Sequence, residues 1–101
     1  MSDDKIMVTV DADLEDLIPG FLENRARELE TLRAALRDGN FQSLQSIGHS
    51  MKGVGGGYGF DGITDIGRDL ENTAKLQDLE GISALIEKYA DYLERIEVNF
   101  E

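Results

Sequence analysis

Residues 40–54 have the sequence NFQSLQSIGHSMKGV, in which apolar side chains recur at intervals of three or four residues. This spacing places them on one side of an α-helix and leaves the other side polar. Asn40 stands just before the first apolar residue and is a favourable N-cap. The stretch therefore predicts an amphipathic helix with one buried face. Its inward residues are Phe41, Leu44, Ile47, Met51 and Val54.

Helical patterns on both sides of this stretch predict three more helices. The first begins near Pro19, a residue tolerated in a first turn, and runs to Asp38, where Gly39 supplies a stop. A third helix begins near Asp61, and a fourth follows the break at 77–78 and continues to Phe100. Their inward residues are Phe21, Leu22, Leu29, Leu32 and Leu36, then Ile63, Ile66, Leu70 and Ala74, and last Ile82, Leu85, Ile86, Tyr89, Leu93, Ile96 and Phe100.

Four helices joined by short turns predict an all-α fold, an up-and-down antiparallel four-helix bundle. Asp11 or Asp13 can cap a short extra N-terminal helix that includes Leu14 and Leu17. We expect residues 1–10 to be an N-terminal tail and residues 11–101 to be a single domain. Within the tail, residues 6–10 resemble a strand, but they are too isolated to form a sheet of their own.

The charge of the chain excludes several classes of partner. Its 21 acidic residues against 10 basic ones give a net charge of −11, which opposes binding to nucleic acid or to an anionic membrane surface. Cysteine is absent, so disulfides and thiolate chemistry are excluded. No apolar run approaches the length of a membrane span or a signal-peptide core. We therefore expect a cytoplasmic protein.

His49 is the only histidine, and its surroundings favour an anion. At 100° per residue it lies roughly 160° from the centre of the apolar stripe, so the ring should face water. No Asp or Glu occurs in residues 39–60, where about four or five are expected at this composition. Because carboxylates repel phosphate, this interval is compatible with a phosphorylated imidazole. A lone histidine is otherwise more often an ordinary surface residue.

The polar face around His49 contains residues that would favour phosphoryl chemistry. Gly53 and Gly56 clear an approach to the ring, although close helix packing or a frayed helix end also accounts for glycines here. Lys52, three residues after the histidine, can reach a phosphoryl oxygen on the ring, although a lysine on a helix surface is usually only a solvated charge. Three further polar residues are candidates to hydrogen-bond the ring or the phosphate, namely Gln42, Gln45 and Ser46.

Other kinds of site are not supported by the sequence. Residues 57–62 formally satisfy the G-x-G-x-x-G dinucleotide pattern, but a helix precedes them and no βαβ unit is available. The order Lys52-Gly53 is the reverse of that in a P-loop. No cysteine or carboxylate lies three or four residues from His49 to complete a metal site within the helix. We expect neither an intrinsic cofactor nor a bound metal, and no kinase site; whether the chain counts as an enzyme stays open.

These residues resemble the histidine-containing phosphotransfer (HPt) domain family. Its core pattern is His-x-x-Lys-Gly followed by a glycine ten residues after the histidine, and here these are His49, Lys52, Gly53 and Gly59. The resemblance implies that His49 is the nucleophile of a phosphorelay and Lys52 its electrostatic helper. It also implies response-regulator receiver domains and a sensor histidine kinase, hybrid kinases included, as partners, with Mg²⁺ bound by the receiver.

The resemblance extends from about Leu14 to Phe100 and includes the pair Leu70-Glu71. One departure is Gly55, where the family often has alanine or a small hydroxylated residue; this affects the stiffness and length of the second helix. Ile18, Phe21 and Phe60 are candidates for an apolar docking rim or for packing beneath it.

Two alternatives remain open. The chain could be the phosphoacceptor domain of a chemotaxis-type histidine kinase, although Met1 followed by a short tail favours a separate protein. It could also be a helical interaction module that is never phosphorylated. The exposed histidine and the complete predicted core favour a monomer, and a dimer formed through the N-terminal segment stays open.

Overall fold

The computed structural model describes residues 4–101. Its four helices are α1 (Ile18–Asp38), α2 (Phe41–Gly55), α3 (Asp61–Lys75) and α4 (Leu79–Arg95). A 3₁₀ helix, Ala12–Leu17, precedes α1, and a 3₁₀ turn, Gly56–Tyr58, follows α2. Two short strands complete the fold, β1 (Ile6–Val10) and β2 (Ile96–Phe100). Residues 1–3 of the predicted tail lie outside the described residues.

The helix ends follow the predicted capping residues. The Asp11 carboxylate accepts a hydrogen bond from the Asp13 amide at 2.9 Å, which caps the first 3₁₀ helix. Pro19 lies in the first turn of α1, and Gly39 ends that helix in the left-handed conformation with φ 64°. Asn40 caps α2 through its side-chain oxygen. The predicted boundaries are therefore confirmed. They could be predicted because each depends on the conformational or hydrogen-bonding preference of one local residue.

The four helices form a bundle around one core. α2 packs most extensively against α3, while α1 contacts both α2 and α4. The predicted apolar stripes face inward, so the four helices of an all-α bundle are confirmed. Side chains with no more than 1% exposure come from every helix, and they include Leu32, Leu44, Met51, Ile63, Leu70, Ile82, Ile86 and Tyr89.

The two strands correct the sequence-based expectations at both ends of the chain. β1 pairs with β2 in parallel, with Ile6 opposite Ile96 and Val10 opposite Phe100. The expectation that residues 6–10 have no strand partner was therefore wrong, since the partner lies at the far end of the sequence. Val8 and Val10 are buried against the helical core.

The prediction that the fourth helix continues to Phe100 was also wrong, because α4 ends at Arg95. Ile96, Val98 and Phe100 fit helical spacing only partly. They alternate with polar residues at Glu97 and Asn99, which is the period of a strand with one buried face.

A tight turn follows the end of α2. The α-helix stops at Gly55, and the 3₁₀ turn that follows ends at Gly59, which has φ 92°. Only glycine adopts this conformation without strain. A Cβ at Gly59 would also lie 3.2 Å from the Thr9 carbonyl oxygen, so the glycine lets β1 pass close to this turn.

Within residues 4–101, no helix has the length and apolar character needed to cross a bilayer.

Candidate functional site

His49 lies on the outer face of α2, opposite the buried stripe that includes Leu44 and Met51. Its side chain is 68% exposed, so the prediction that the ring faces solvent is confirmed. An exposed ring is open to a reaction partner of protein size, which a buried histidine is not.

The ring of His49 has a carboxylate partner on the neighbouring helix. Its Nδ1 lies 3.0 Å from Oε2 of Glu71 on α3. An ionised carboxylate can only accept hydrogen bonds, so Nδ1 is the protonated nitrogen that donates. In the neutral ring this leaves the lone pair on Nε2. The contact therefore selects the tautomer with Nε2 free to act as a nucleophile.

Lys52 binds the other oxygen of the same carboxylate. Its Nζ lies 2.8 Å from Glu71 Oε1, and the Glu71 side chain is only 11% exposed. The hydrogen bond from Lys52 lowers the pKa of the Glu71 carboxyl, and the bond from His49 acts in the same direction, although burial opposes both. Glu71 is thus ionised near neutral pH and is the centre of a three-residue network.

A threonine on α3 bridges the last turn of α2 next to this network. The Thr64 hydroxyl accepts a hydrogen bond from the Gly56 amide at 2.8 Å and donates to the Lys52 carbonyl at 3.2 Å. In a regular helix that amide would bind that carbonyl directly. The hydroxyl is inserted between them, so the α-helical bonding of α2 does not continue past Gly55, and α3 supplies the bridge.

The remaining predicted site residues fall into two groups. Gly53 is exposed with open space beside it, as an approach to the ring requires, and Gly56 is exposed beside Thr64. Gln42 and Ser46 are exposed, and Gln45 is half-buried. In the described part of the chain, no hydrogen bond joins these three polar residues to the His49 ring. Their role toward a phosphate stays a prediction.

The candidate docking residues Ile18, Phe21 and Phe60 are buried, with exposures of 3%, 7% and 0%. Phe21 stacks on Phe60 with ring centroids 5.1 Å apart, and on Tyr58 at 4.4 Å. These three side chains pack beneath the surface, so the role of a docking rim is not supported for them. Helical spacing alone could not separate the two roles, because a rim and a core have the same apolar pattern.

Glu71 is the site residue that sequence reasoning missed. The interval without acids in residues 39–60 suggested a site free of carboxylates, yet α3 supplies one from 22 residues away. The sequence feature that could have identified Glu71 is the pair Leu70-Glu71. It places an acidic residue directly beside a core leucine, on the side of α3 that packs against α2. A charged residue so close to the core requires a partner. Here it has two, His49 and Lys52.

Across residues 4–101, no group of three or more His, Cys, Asp or Glu residues could hold a metal ion. The site instead combines an exposed imidazole with a defined tautomer, a carboxylate and an ammonium group. This set can accept a group at Nε2 and stabilise charge on both the ring and the incoming group.

A family model, the Hpt domain, matches residues 16–99. The chain belongs to the Hpt domain family, whose members transfer phosphoryl groups on histidine in two-component signalling. Hpt domains in general exchange these groups with receiver domains and histidine kinases. Neither a comparison with curated proteins nor one with solved structures gave a match.

Proposed function

We propose that this chain is a phosphocarrier of a two-component phosphorelay, which takes a phosphoryl group on His49 from one receiver aspartate and passes it to another. The observation that carries the proposal is the hydrogen bond from His49 Nδ1 to Glu71, 3.0 Å long, on an otherwise exposed ring. It supports Nε2 as the attacking atom, because that nitrogen points away from the carboxylate and retains its lone pair.

The transfer step balances with the groups present. The Nε2 lone pair attacks the phosphorus of an aspartyl phosphate, a new N–P bond forms, and the P–O bond to the aspartate breaks. The aspartate leaves as a carboxylate. The ring keeps its proton on Nδ1 and becomes positively charged, and the Glu71 carboxylate stabilises that charge. In the reverse step, a receiver carboxylate attacks the phosphorus and the neutral ring is restored.

Lys52 would stabilise the phosphoryl oxygens during the transfer. An ammonium group has three donors, and in the free protein one of them binds Glu71 Oε1. The others can bind an oxygen of the incoming phosphoryl group without breaking that contact. Gly53 leaves the space beside the ring open for the partner's approach. The receiver domain would contribute the Mg²⁺, as the resemblance to the Hpt family implies.

Short turns between consecutive helices, together with contacts of α1 to both α2 and α4, support an up-and-down antiparallel bundle. We propose that the domain acts as a monomer in the cytoplasm, and that it consists of residues 11–101 with the strand of residues 6–10 packed against them. A sensor histidine kinase, either of simple or of hybrid type, would stand upstream.

Treatment with phosphoramidate tests the proposal on the wild type and on His49→Gln. We expect acid-labile phosphate on the wild type only, seen by intact mass and phosphorus NMR, and its discharge by a Mg²⁺-loaded receiver domain. A folded wild type that takes up no phosphate would contradict the proposal and favour a binding module that is never phosphorylated. Labelling of His49 by an isolated kinase ATP-binding domain, but not by a phosphorylated receiver domain, would instead favour the kinase-derived alternative.

A further inference from the structure

Two glycines face each other where α2 and α3 pass the site. A Cβ built on Gly48 would lie 2.7 Å from the Glu71 amide nitrogen and 2.8 Å from the Gly67 carbonyl oxygen. A Cβ on Gly67 would lie 2.6 Å from the Lys52 amide nitrogen and 2.7 Å from the Gly48 carbonyl oxygen. All four of these neighbours are backbone atoms, which cannot rotate away as side chains do. A side chain at either glycine would therefore force the backbones of α2 and α3 apart.

The position of this contact relates it to the site. Gly48 directly precedes His49, and its missing Cβ leaves room for the backbone of Glu71, the partner of that histidine. Gly67 leaves room for the backbone of Lys52, the second partner of Glu71. Each glycine therefore abuts one member of the network. Glycine inside a helix is less favourable than alanine, so two opposed glycines need a reason in packing or function.

We infer that Gly48 and Gly67 are positioning residues for phosphoryl transfer, because their contact sets the helix separation at which one carboxylate binds both His49 and Lys52. This inference rests on the proposed function and deepens it. Ordinary van der Waals contact begins at 3.4 Å, so a methyl group on Gly48 would displace α3 by several tenths of an ångström at Glu71 itself. The Nδ1 to Oε2 distance, now 3.0 Å, would then leave the range of a good hydrogen bond.

The chain offers a control with the same packing but a different position. A Cβ on Gly55 would lie 2.8 Å from both the Phe60 carbonyl oxygen and the Thr64 amide nitrogen. It is therefore as tightly enclosed between α2 and α3 as Gly48, but it touches neither Glu71 nor His49. Gly20 on α1 is a second control, since a Cβ added there would have nothing within 4 Å. Alanine at Gly55 tests tight packing away from Glu71, on the side of the Thr64 bridge, and alanine at Gly20 tests helix propensity alone.

The experiment compares Gly48→Ala and Gly67→Ala with Gly55→Ala, Gly20→Ala and the wild type. Nitrogen-15 NMR of the neutral ring measures the share of the tautomer protonated on Nδ1, and phosphoramidate labelling measures the rate. We expect Gly48→Ala to lose the Nδ1–H signature and label about ten- to a hundredfold more slowly, as small misplacements at reacting groups do. Gly67→Ala should slow labelling as well. Gly55→Ala should keep the signature and the rate, even where its unfolding transition moves as far as that of Gly48→Ala.

Several outcomes would overturn the inference. One is a wild-type signature and rate in folded Gly48→Ala, and another is an equal loss in Gly55→Ala. A variant that unfolds in buffer is measured in sucrose, which favours the folded state. Glu71→Asp provides a test without any added atom, because it withdraws the carboxylate by one methylene while the glycine contact stays intact. Labelling of Glu71→Asp at the wild-type rate would show that the separation is unimportant.

The NMR readout needs no phosphoryl donor. A wild type that shows the Nδ1–H signature but takes up no phosphate would reject the proposed function, and the glycine comparison would still report on the position of Glu71. Conversely, a wild type that labels normally while Gly48→Ala keeps both signature and rate would reject the positioning role alone.

Discussion

Glu71 accepts a hydrogen bond from the His49 ring across the gap between α3 and α2, with Oε2 3.0 Å from Nδ1. The ring is 68% exposed and the carboxylate 11%, so a mostly buried charge orients a mostly exposed nucleophile. The Nδ1 side of the ring is held by Glu71, and the Nε2 side is available to a partner.

The first prediction concerns Glu71→Gln. The amide keeps the size of the side chain but cannot neutralise a positive ring, and it can present either a donor or an acceptor to Nδ1. We expect His49 labelling by phosphoramidate to slow by about tenfold or more, with the helical circular dichroism spectrum retained. Glu87→Gln removes an equally negative but 64% exposed carboxylate and should label at the wild-type rate. Equal rates in Glu71→Gln and the wild type would contradict a role for the carboxylate.

The second prediction concerns Lys52→Glu. The substitution removes the strongest cause of the lowered Glu71 pKa and places a like charge beside that carboxylate. We expect the Glu71 pKa to rise, measured by carbon-13 NMR of the carboxyl, and transfer to a receiver to slow. Lys88→Glu changes the net charge equally on α4 and should affect neither quantity. An unchanged Glu71 titration in Lys52→Glu would mean that the contact at 2.8 Å does not persist in solution.

A third prediction concerns the hydroxyl inserted at the end of α2. Thr64→Val keeps the side-chain shape but leaves the Gly56 amide and the Lys52 carbonyl without their bridge. We expect the free energy of unfolding to fall by about 1 kcal/mol, since Thr64 is half-buried and water replaces part of the lost bonding. Hydrogen exchange at the Gly56 amide should quicken. Thr64→Ser restores the hydroxyl and should recover most of the protection, and a serine variant as unprotected as valine would show that the methyl group matters instead.

The fourth prediction uses pH and a carboxylate far from the site. Burial raises the pKa of Glu28 above its ordinary value of 4.5, although a hydrogen bond from the Tyr89 hydroxyl at 2.8 Å and the nearby Arg25 partly oppose this. The folded protein therefore holds this proton more tightly than the unfolded chain. The resulting stabilisation is complete below the ordinary pKa and is lost as the pH rises through the raised one.

We expect Glu28→Gln to remove this loss, because the amide oxygen can still accept from Tyr89 and never ionises. Between about pH 4 and about pH 7, urea unfolding of the variant should gain stability relative to the wild type. The gain should be under about 1 kcal/mol because solvent screens a carboxylate that is only partly buried. Glu71 contributes equally in both proteins and cancels in the comparison. Parallel stability curves for the two proteins would show that burial does not raise this pKa.

Local features of the sequence predicted the helices, but they did not predict pairings between distant segments of the chain. Gly39 and Asn40 specify their caps through their own backbone and side-chain preferences, so these boundaries could be predicted. The pairing of Ile6 with Ile96 could not, because a strand of five residues does not indicate which other strand it pairs with.

The same distinction applies within the site. The exposure of His49 follows from its angle on one helix. Glu71 depends on how two helices are offset, and that offset is set by glycines whose role appears only when their neighbours are known. Glycines in a helix sequence indicate that another part of the structure packs closely there, but they do not identify which residues form that contact.

The parallel pairing of β1 and β2 also determines how this domain would respond to a stretching force. Because the strands run in the same direction, tension applied at residue 6 and residue 100 pulls them past each other along their length. The hydrogen bonds of the pair would then be loaded in shear and would have to break together, whereas an antiparallel pair held at one end opens bond by bond. The helical bundle, with His49 on its surface, therefore bears no load applied at residues 6 and 100 until the hydrogen bonds between β1 and β2 break.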